Sequence, residues 1–422
     1  MLSEDVIEKL SERLVNRIDE ANEYILRKIA ESVKKIGTLS FSEAQQIAQI
    51  LKNGGDYNKI VKELAEVTGL NQNDIKKIFT EVARKNQEFI KPFYEFRNKP
   101  FIPYDENKAL QRQVNALAEI TANEYANISR TAGLGYLIKD NKNNVVFKSI
   151  NYVYNEVIDR AVMSVAQGKS TFDSEMYRIL KDIGKSGLRY VEYDTGNIRR
   201  LDSAVRMNLM GALRDMSNHI QQEFGKEFDA DGIEISVHEY PAPDHALAQG
   251  RQFSNEEYKK LQEIGKATTY DKKKINMHVH RKDGTEYETF RPISELNCYH
   301  YIFPIVLGVS EPLRNKEELQ EILERNAKGF SIDGKHYKTK YEGTQMQRQL
   351  ETRIREQKDI QILAKESGNK ELLYESQKKI NQLTDKYNEF SKKAGLPTKK
   401  DRLRVSEYRP IKLKEEKESI NG

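Results

Sequence analysis

Two short segments hold the residue types that could do chemistry. SVHEYPAPDHALAQG, residues 236–250, carries His238, Asp244, His245 and Gln249 and ends on Gly250. NCYHYIFPIVLGVSEP, residues 297–312, carries Asn297, the single cysteine Cys298, and His300. Three chemistries are open to this set. A thiol enzyme would use Cys298 as nucleophile, His300 or His245 as base, and Asp244 to orient the base. A metal site, for example in a metal-dependent hydrolase, would bind Zn²⁺ through His238, His245, Cys298 and His300, as thiolate and neutral imidazoles. In the third reading Cys298 fills apolar space, while the histidines, Asp244, Gln249 and Asn297 pin a proline-stiffened loop by hydrogen bonds. On a strand, residues two apart share a face, which would bring Cys298 beside His300 and His278 beside His280. A pair one residue apart is not a diagnostic zinc spacing, and the sequence shows no oxyanion donors. The bracing role is therefore the one expected, with no catalytic residue, no metal ligand and no cofactor, and Zn²⁺ as the alternative.

A second candidate is the arginine group Arg199, Arg200 and Arg206. A planar guanidinium can hold phosphate through two parallel donors. The same residues can instead pair with Asp202 or nearby glutamates. The chain has no phosphate-binding P-loop, no dinucleotide glycine fingerprint and no HExxH zinc motif.

The elements that must position these groups are mostly helical. Val6, Leu10, Leu14, Ile18 and Ile25 recur at helical spacing, and two further short helices are expected before residue 95. RNKPFIPYDE, with two prolines, marks a hinge, and a helix should run from about Glu106 to Ser129. TAGLGYLIKDNKNNVVF interrupts the helical pattern. Val205, Leu209, Leu213, Met216, Ile220 and Phe224 then give an amphipathic helix, with Gly225 as its stop. Alternation of Ile233, Ile235 and Val237 reads as a strand, YIFPIVLG as another, and Asp283–Gly284 as a hairpin turn. After Gly343 two apolar stripes, Met346–Leu350–Ile354–Ile362 and Leu373–Ile380–Leu383–Tyr387–Phe390, flank Gly368–Asn369, the pattern of an αα-hairpin.

The expected architecture is α+β and mostly helical. It divides into an N-terminal helical module at 1–95, a central helical region with linker at 96–190, an α+β domain with a small mixed or antiparallel sheet at 191–342, a C-terminal helical hairpin at 343–396, and a basic flexible tail at 397–422. The 422 residues suffice for several domains, and one cysteine excludes an internal disulfide or an all-cysteine zinc knuckle. Net charge is +5, and from Gln345 onward nineteen Lys/Arg face thirteen Asp/Glu, so the excess sits in the last fifth of the chain. No uninterrupted apolar run of membrane-spanning length occurs, and MLSEDVIEKL lacks an apolar leader, so neither a membrane span nor export by the general route is expected.

The order of motifs resembles a known family. It runs from the helix around Arg199, Arg200 and Arg206 through SVHEYPAPDHALAQGRQFS, NCYHYIFPIVLGVSEP and KHYKTKYEGTQMQRQLETRIREQK to KAGLPTKKDRLRVSEY, over roughly 100–408. The chain resembles the minor capsid protein 2 family of tailed bacteriophages, similar in role to Mu F-like head-morphogenesis proteins. Family positions match His238, Asp244, His245, Gln249, Gly250, Asn297, Cys298, His300, Pro304 and Gly308. Ala248 and Glu295–Leu296 stand where the family usually has aromatic and glycine-aromatic residues. The resemblance implies a non-enzymatic minor head protein, present in several copies inside the virion head near the portal and in the bacterial host cytoplasm during assembly. Its implied partners are portal or major capsid subunits and DNA; the charge of Arg199, Arg200, Arg206 and the basic tail would supply contact with double-stranded DNA without sequence preference.

Overall fold

A computed structural model describes residues 4–52, 72–130, 133–140, 142–191, 198–269, 290–294 and 298–413. The chain forms two compact units. One comprises Met1–Arg13, Asn71–Glu124 and Arg206–Gln345; the other comprises Leu14–Leu70, Tyr125–Val205 and Met346–Gly422. Among the described residues no helix is long and apolar enough to cross a membrane.

The first unit carries the candidate chemistry. Helices α3 (Gln72–Phe96) and α7 (Leu201–Glu227) run past one another within it. Their contact is partly aromatic: Phe93 and Tyr94 lie 5.6 Å and 5.8 Å from Phe224 between ring centroids. It is also polar, with Asn86 Nδ2 donating to Ser217 Oγ at 3.0 Å. Gly225 does not stop α7, which continues to Glu227. A three-stranded antiparallel sheet follows, ordered β6 (Gln252–Ser254), β5 (Gly232–Ile235), β7 (Ile302–Ile305). Ile233 pairs with Phe253 and with Pro304, and Ile235 with Ile302. Helix α8 (Asn255–Thr269) covers a core of Ile233, Ile235, Phe253, Leu261, Phe290, Ile293 and Ile302, and Cys298 belongs to this apolar cluster. Two side chains of α8 clasp the returning chain: Thr268 Oγ1 accepts from Phe290 N at 3.2 Å, and Gln262 Oε1 accepts from Ile293 N at 2.7 Å. Helix α9 (Lys316–Ala327), capped by Asn315, and the β8 (Phe330–Ile332) and β9 (Lys335–Tyr337) hairpin complete this unit. The Asp283–Gly284 hairpin and the His278–His280 pair lie outside the described residues.

In the second unit α1 (Glu4–Ile36) buries Ile18, Ile25, Ile29, Val33 and Ile36, the helical stripe read from the sequence. Helix α2 (Phe41–Lys52) follows. Helix α4 (Lys108–Arg130), whose residues up to Glu124 belong to the first unit, starts two residues later than expected. An antiparallel sheet, where the sequence showed only an interruption of the helical pattern, is ordered β2 (Val145–Ser149), β1 (Leu134–Lys139), β3 (Arg189–Val191), β4 (Ile198–Arg200). Gly135 opposes Ser149, and a Cβ there would lie 2.0 Å from Lys148 O, so only glycine admits the neighbouring strand. Helices α5 (Ile150–Ala166) and α6 (Lys169–Ser186) pack on this sheet.

The C-terminal αα-hairpin has the expected form. Helix α10 (Lys340–Ser367) and α11 (Lys370–Ala394) are joined at Gly368, in the left-handed region at φ 77°, and Asn369 caps α11 by accepting from Leu372 N at 3.0 Å. Leu350, Ile354, Ile380, Tyr387 and Phe390 are buried along it. Residues 397–413 are not a free tail. Tyr387 Oη accepts from Lys399 N at 2.8 Å, Arg355 donates to Arg402 O at 2.8 Å and Lys358 to Leu403 O at 2.6 Å, which straps the segment onto the hairpin.

Candidate functional site

Strand β5 leads into the proline-rich loop, which the short 3₁₀ turn His245–Leu247 brings back under the sheet. Gly250 then turns the chain at φ 67°, and its N–H donates to Ile235 O at 2.8 Å. The segment 298–300 enters from the other side, just before β7. The two candidate segments therefore meet, as their residue types suggested.

Cys298 Sγ lies 3.3 Å from His300 Nδ1 and accepts from His300 N at 3.4 Å. One ligand-type atom each from His245, Cys298 and His300 fits within 4.8 Å, and all three residues are buried. Gln249, fully buried, lies between the segments: its Oε1 accepts from His238 N at 2.9 Å and faces His300 Nε2 at 3.2 Å. His238 is half-buried, with its ring edge-on to His300 at 4.5 Å between centroids and its Nε2 bonded to Tyr299 O. His245 Nε2 lies 2.8 Å from Arg291 O and 3.6 Å from Asp244 Oδ2. Asn297 lies outside the described residues. Pro304 pairs within β7, and Gly308 sits at φ 74° in the turn after it.

Two arginines complete the arrangement, and the sequence reading had not named them. Arg291 grips Asp244 with both a side-chain fork, Nε to Oδ2 at 2.9 Å and Nη2 to Oδ1 at 2.8 Å, and its own N–H at 3.1 Å. Arg214, 2% exposed, donates from α7 to Cys298 O and stacks on Tyr299. A signal for Arg214 was present. Arg214, Ser217, Asn218 and Gln221 follow helical spacing and form a buried polar seam beside the apolar stripe of α7. Asn218 Oδ1 accepts from Ile302 N at 3.4 Å, so the seam anchors the strand as well as Cys298. Arg291 follows the undescribed stretch 270–289, and no local pattern marks it.

Electrostatics follow from this packing. Burial alone would raise the Cys298 thiol, but His245 outweighs it and holds the group below its ordinary value. Burial would lower His245, and Cys298, Asp244 and the Arg291 carbonyl raise it instead. Burial would raise Asp244, and the Arg291 fork brings it below the usual carboxylate range. His300 is pushed well down by burial and by His238, His245, Arg291 and Arg214. The arrangement can thus support a thiolate, as a nucleophile or as a ligand. Access separates these uses: Cys298 is 3% exposed and packed among Ile235, Phe290 and Ile302. A cleft of about 440 Å³ nearby is lined by Asn218, His219, Tyr258, Gln262, Ser294 and others, and neither Cys298, His245 nor His300 is in its wall.

The structure separates the three arginines of the other candidate. Arg199 is exposed and Arg206 half-buried. Arg200 is buried, with Nε 3.3 Å from Asp202 Oδ1 and Nη2 3.4 Å from Asp359 Oδ2, while Arg355 Nη2 lies 3.3 Å from Asp202 Oδ2. The Arg200 guanidinium is therefore committed to carboxylates inside the second unit rather than presented to a phosphate. Burial, with Asp202 adding to it and Arg200 opposing, raises Asp359 to about 6; burial with Asp359 raises Glu23 to about 7.

No curated protein and no solved structure matches the chain. The family profile described as phage minor capsid protein 2 matches residues 2–392. Both segments of the His/Cys site and the C-terminal hairpin fall inside that match, and the chain belongs to the phage minor capsid protein 2 family.

Proposed function

We propose that the chain is a non-enzymatic minor head protein that docks on portal or capsid subunits inside the phage head and contacts packaged DNA through surface charge. Family membership carries the general role of a structural phage capsid protein. The observation that favours a structural use of the His/Cys site is the burial of Cys298 at 3% exposure within an apolar cluster. A nucleophile must meet its substrate, whereas a brace has only to hold β5, the 3₁₀ turn and β7 together. Docking has candidate surface in the first unit, where Phe93, Phe96 and Ile102 are exposed, Phe96 at 87%. Exposed Arg199 supports phosphate contact that is independent of sequence. Several copies around one portal would add weak contacts into firm attachment.

The test is reconstitution with portal and capsid subunits, followed by imaging of assembled particles. Density for the chain inside the head, against the portal, is expected. Particles that assemble and package normally with the chain absent from every stage would refute the reading. For DNA, binding to a random duplex should fall steeply with rising salt, and no binding at low ionic strength would remove that part.

A further inference from the structure

We infer that His245, Cys298 and His300 form a Zn²⁺ site that locks the 3₁₀ turn to the segment entering β7. The argument is a count of protons. His245 Nε2 faces the Arg291 carbonyl at 2.8 Å, which can only accept, so that nitrogen carries a hydrogen. His300 Nε2 faces Gln249 Oε1 at 3.2 Å. The Gln249 amide is not free to flip, because the same oxygen accepts from His238 N at 2.9 Å. His300 Nε2 therefore also carries a hydrogen. Both neutral rings then keep a bare Nδ1 lone pair, that of His300 facing Cys298 Sγ at 3.3 Å, and one S–H is the side-chain proton left for the three groups to share.

A lone pair left over in an apolar core is costly. A divalent cation satisfies all three atoms together and releases the thiol proton to solvent, leaving Cys298 as thiolate. The geometry suits zinc. Tetrahedral bonds of about 2.3 Å to sulfur and about 2.0–2.1 Å to nitrogen place those ligand atoms roughly 3.5 Å apart. The observed Sγ to His300 Nδ1 separation is 3.3 Å, and all three ligand atoms lie within 4.8 Å of one another. A mixed sulfur and imidazole set selects Zn²⁺ over the hard cations. The Arg291 carbonyl and Gln249 fix the rings as acceptor partners do in zinc proteins. His238, assigned to a metal set by residue type, is not a member, because its Nε2 is bonded to Tyr299 O.

The experiment uses the full chain, purified without chelator and assayed for metal, then stripped and titrated with Zn²⁺ and Co²⁺. Near-stoichiometric Zn²⁺ is expected, with a thiolate-to-cobalt charge-transfer band in the Co²⁺ form. Chelation should lower the melting temperature, and added Zn²⁺ should restore it. Cys298→Ser should abolish the band and weaken Zn²⁺ binding by at least about 100-fold, and Gln249→Leu should weaken it roughly 10–100-fold. If a variant does not fold, titration of the stripped wild-type chain still decides. A folded wild-type chain that takes up neither metal overturns the inference and leaves a thiolate–imidazolium pair. Incorporation into particles is measured separately, so the head-protein reading stands or falls on its own.

Discussion

Asp359 in α10 gives the sharpest test of the ion cluster in the second unit. It is 2% exposed, 3.4 Å from the Arg200 guanidinium, and raised from its ordinary value of 3.8 to about 6 because burial outweighs that pairing. A carboxyl whose folded value is raised contributes stability while protonated. That contribution is complete below the unfolded value, near 4, and is lost as pH climbs through about 6. At about 1.4 kcal/mol per tenfold change in proton affinity, the loss is about 3 kcal/mol, with roughly half falling between pH 5 and pH 8. Asp359→Asn copies the neutral form. Urea unfolding of the wild-type and variant full chains at both pH values reads this effect, and because the Asp359 charge also raises Glu23, relief of that residue adds to the difference in the same direction. The variant should gain on the wild type by about 1–2 kcal/mol from pH 5 to pH 8. A variant that instead loses ground as pH rises would show that the Arg200 pairing exceeds the cost of burying the charge, and the reasoning would be wrong.

Other changes have equally definite outcomes. Gly184→Ala in α6 would put a Cβ 2.8 Å from Ile360 Cα, against backbone that cannot rotate away, and should cost about 1–3 kcal/mol in denaturant unfolding. Gly250→Ala must hold φ near 67° and should cost about 1–2 kcal/mol, with Gly308→Ala as a comparison at a turn where a Cβ meets nothing within 4 Å. Asn369→Ala removes the cap from Leu372 N and should cost about 1 kcal/mol, while Asn369→Gly should cost only a few tenths.

How much the sequence disclosed depended on the range of the interactions. The helices of the hairpin and the turn at Gly368–Asn369 were legible because apolar period, φ > 0 and a capping side chain are local properties. Cys298 and His300 do meet, but not on a shared strand face, because β7 begins only at Ile302. The sheet built on β1 was not legible. LGYLIK and VVFKS are joined by a turn without glycine, in which Asn143 takes φ 66° and Asp140 Oδ1 accepts from Lys142 and Asn144, so the usual hairpin signal is missing. Arg291 was invisible because its partner, Asp244, is 47 positions away. The strap at 397–413 looked like loose basic chain because its bonds run from hairpin side chains to its backbone, which composition cannot show.

The clasp formed by Thr268 and Gln262 on the chain at Phe290 and Ile293 has an evolutionary implication. The brackets close on both sides of residues 270–289, so the core registers where that excursion departs and returns rather than how long it is. A change of length between residues 270 and 289 in a related chain is therefore expected to leave the register of this core unchanged.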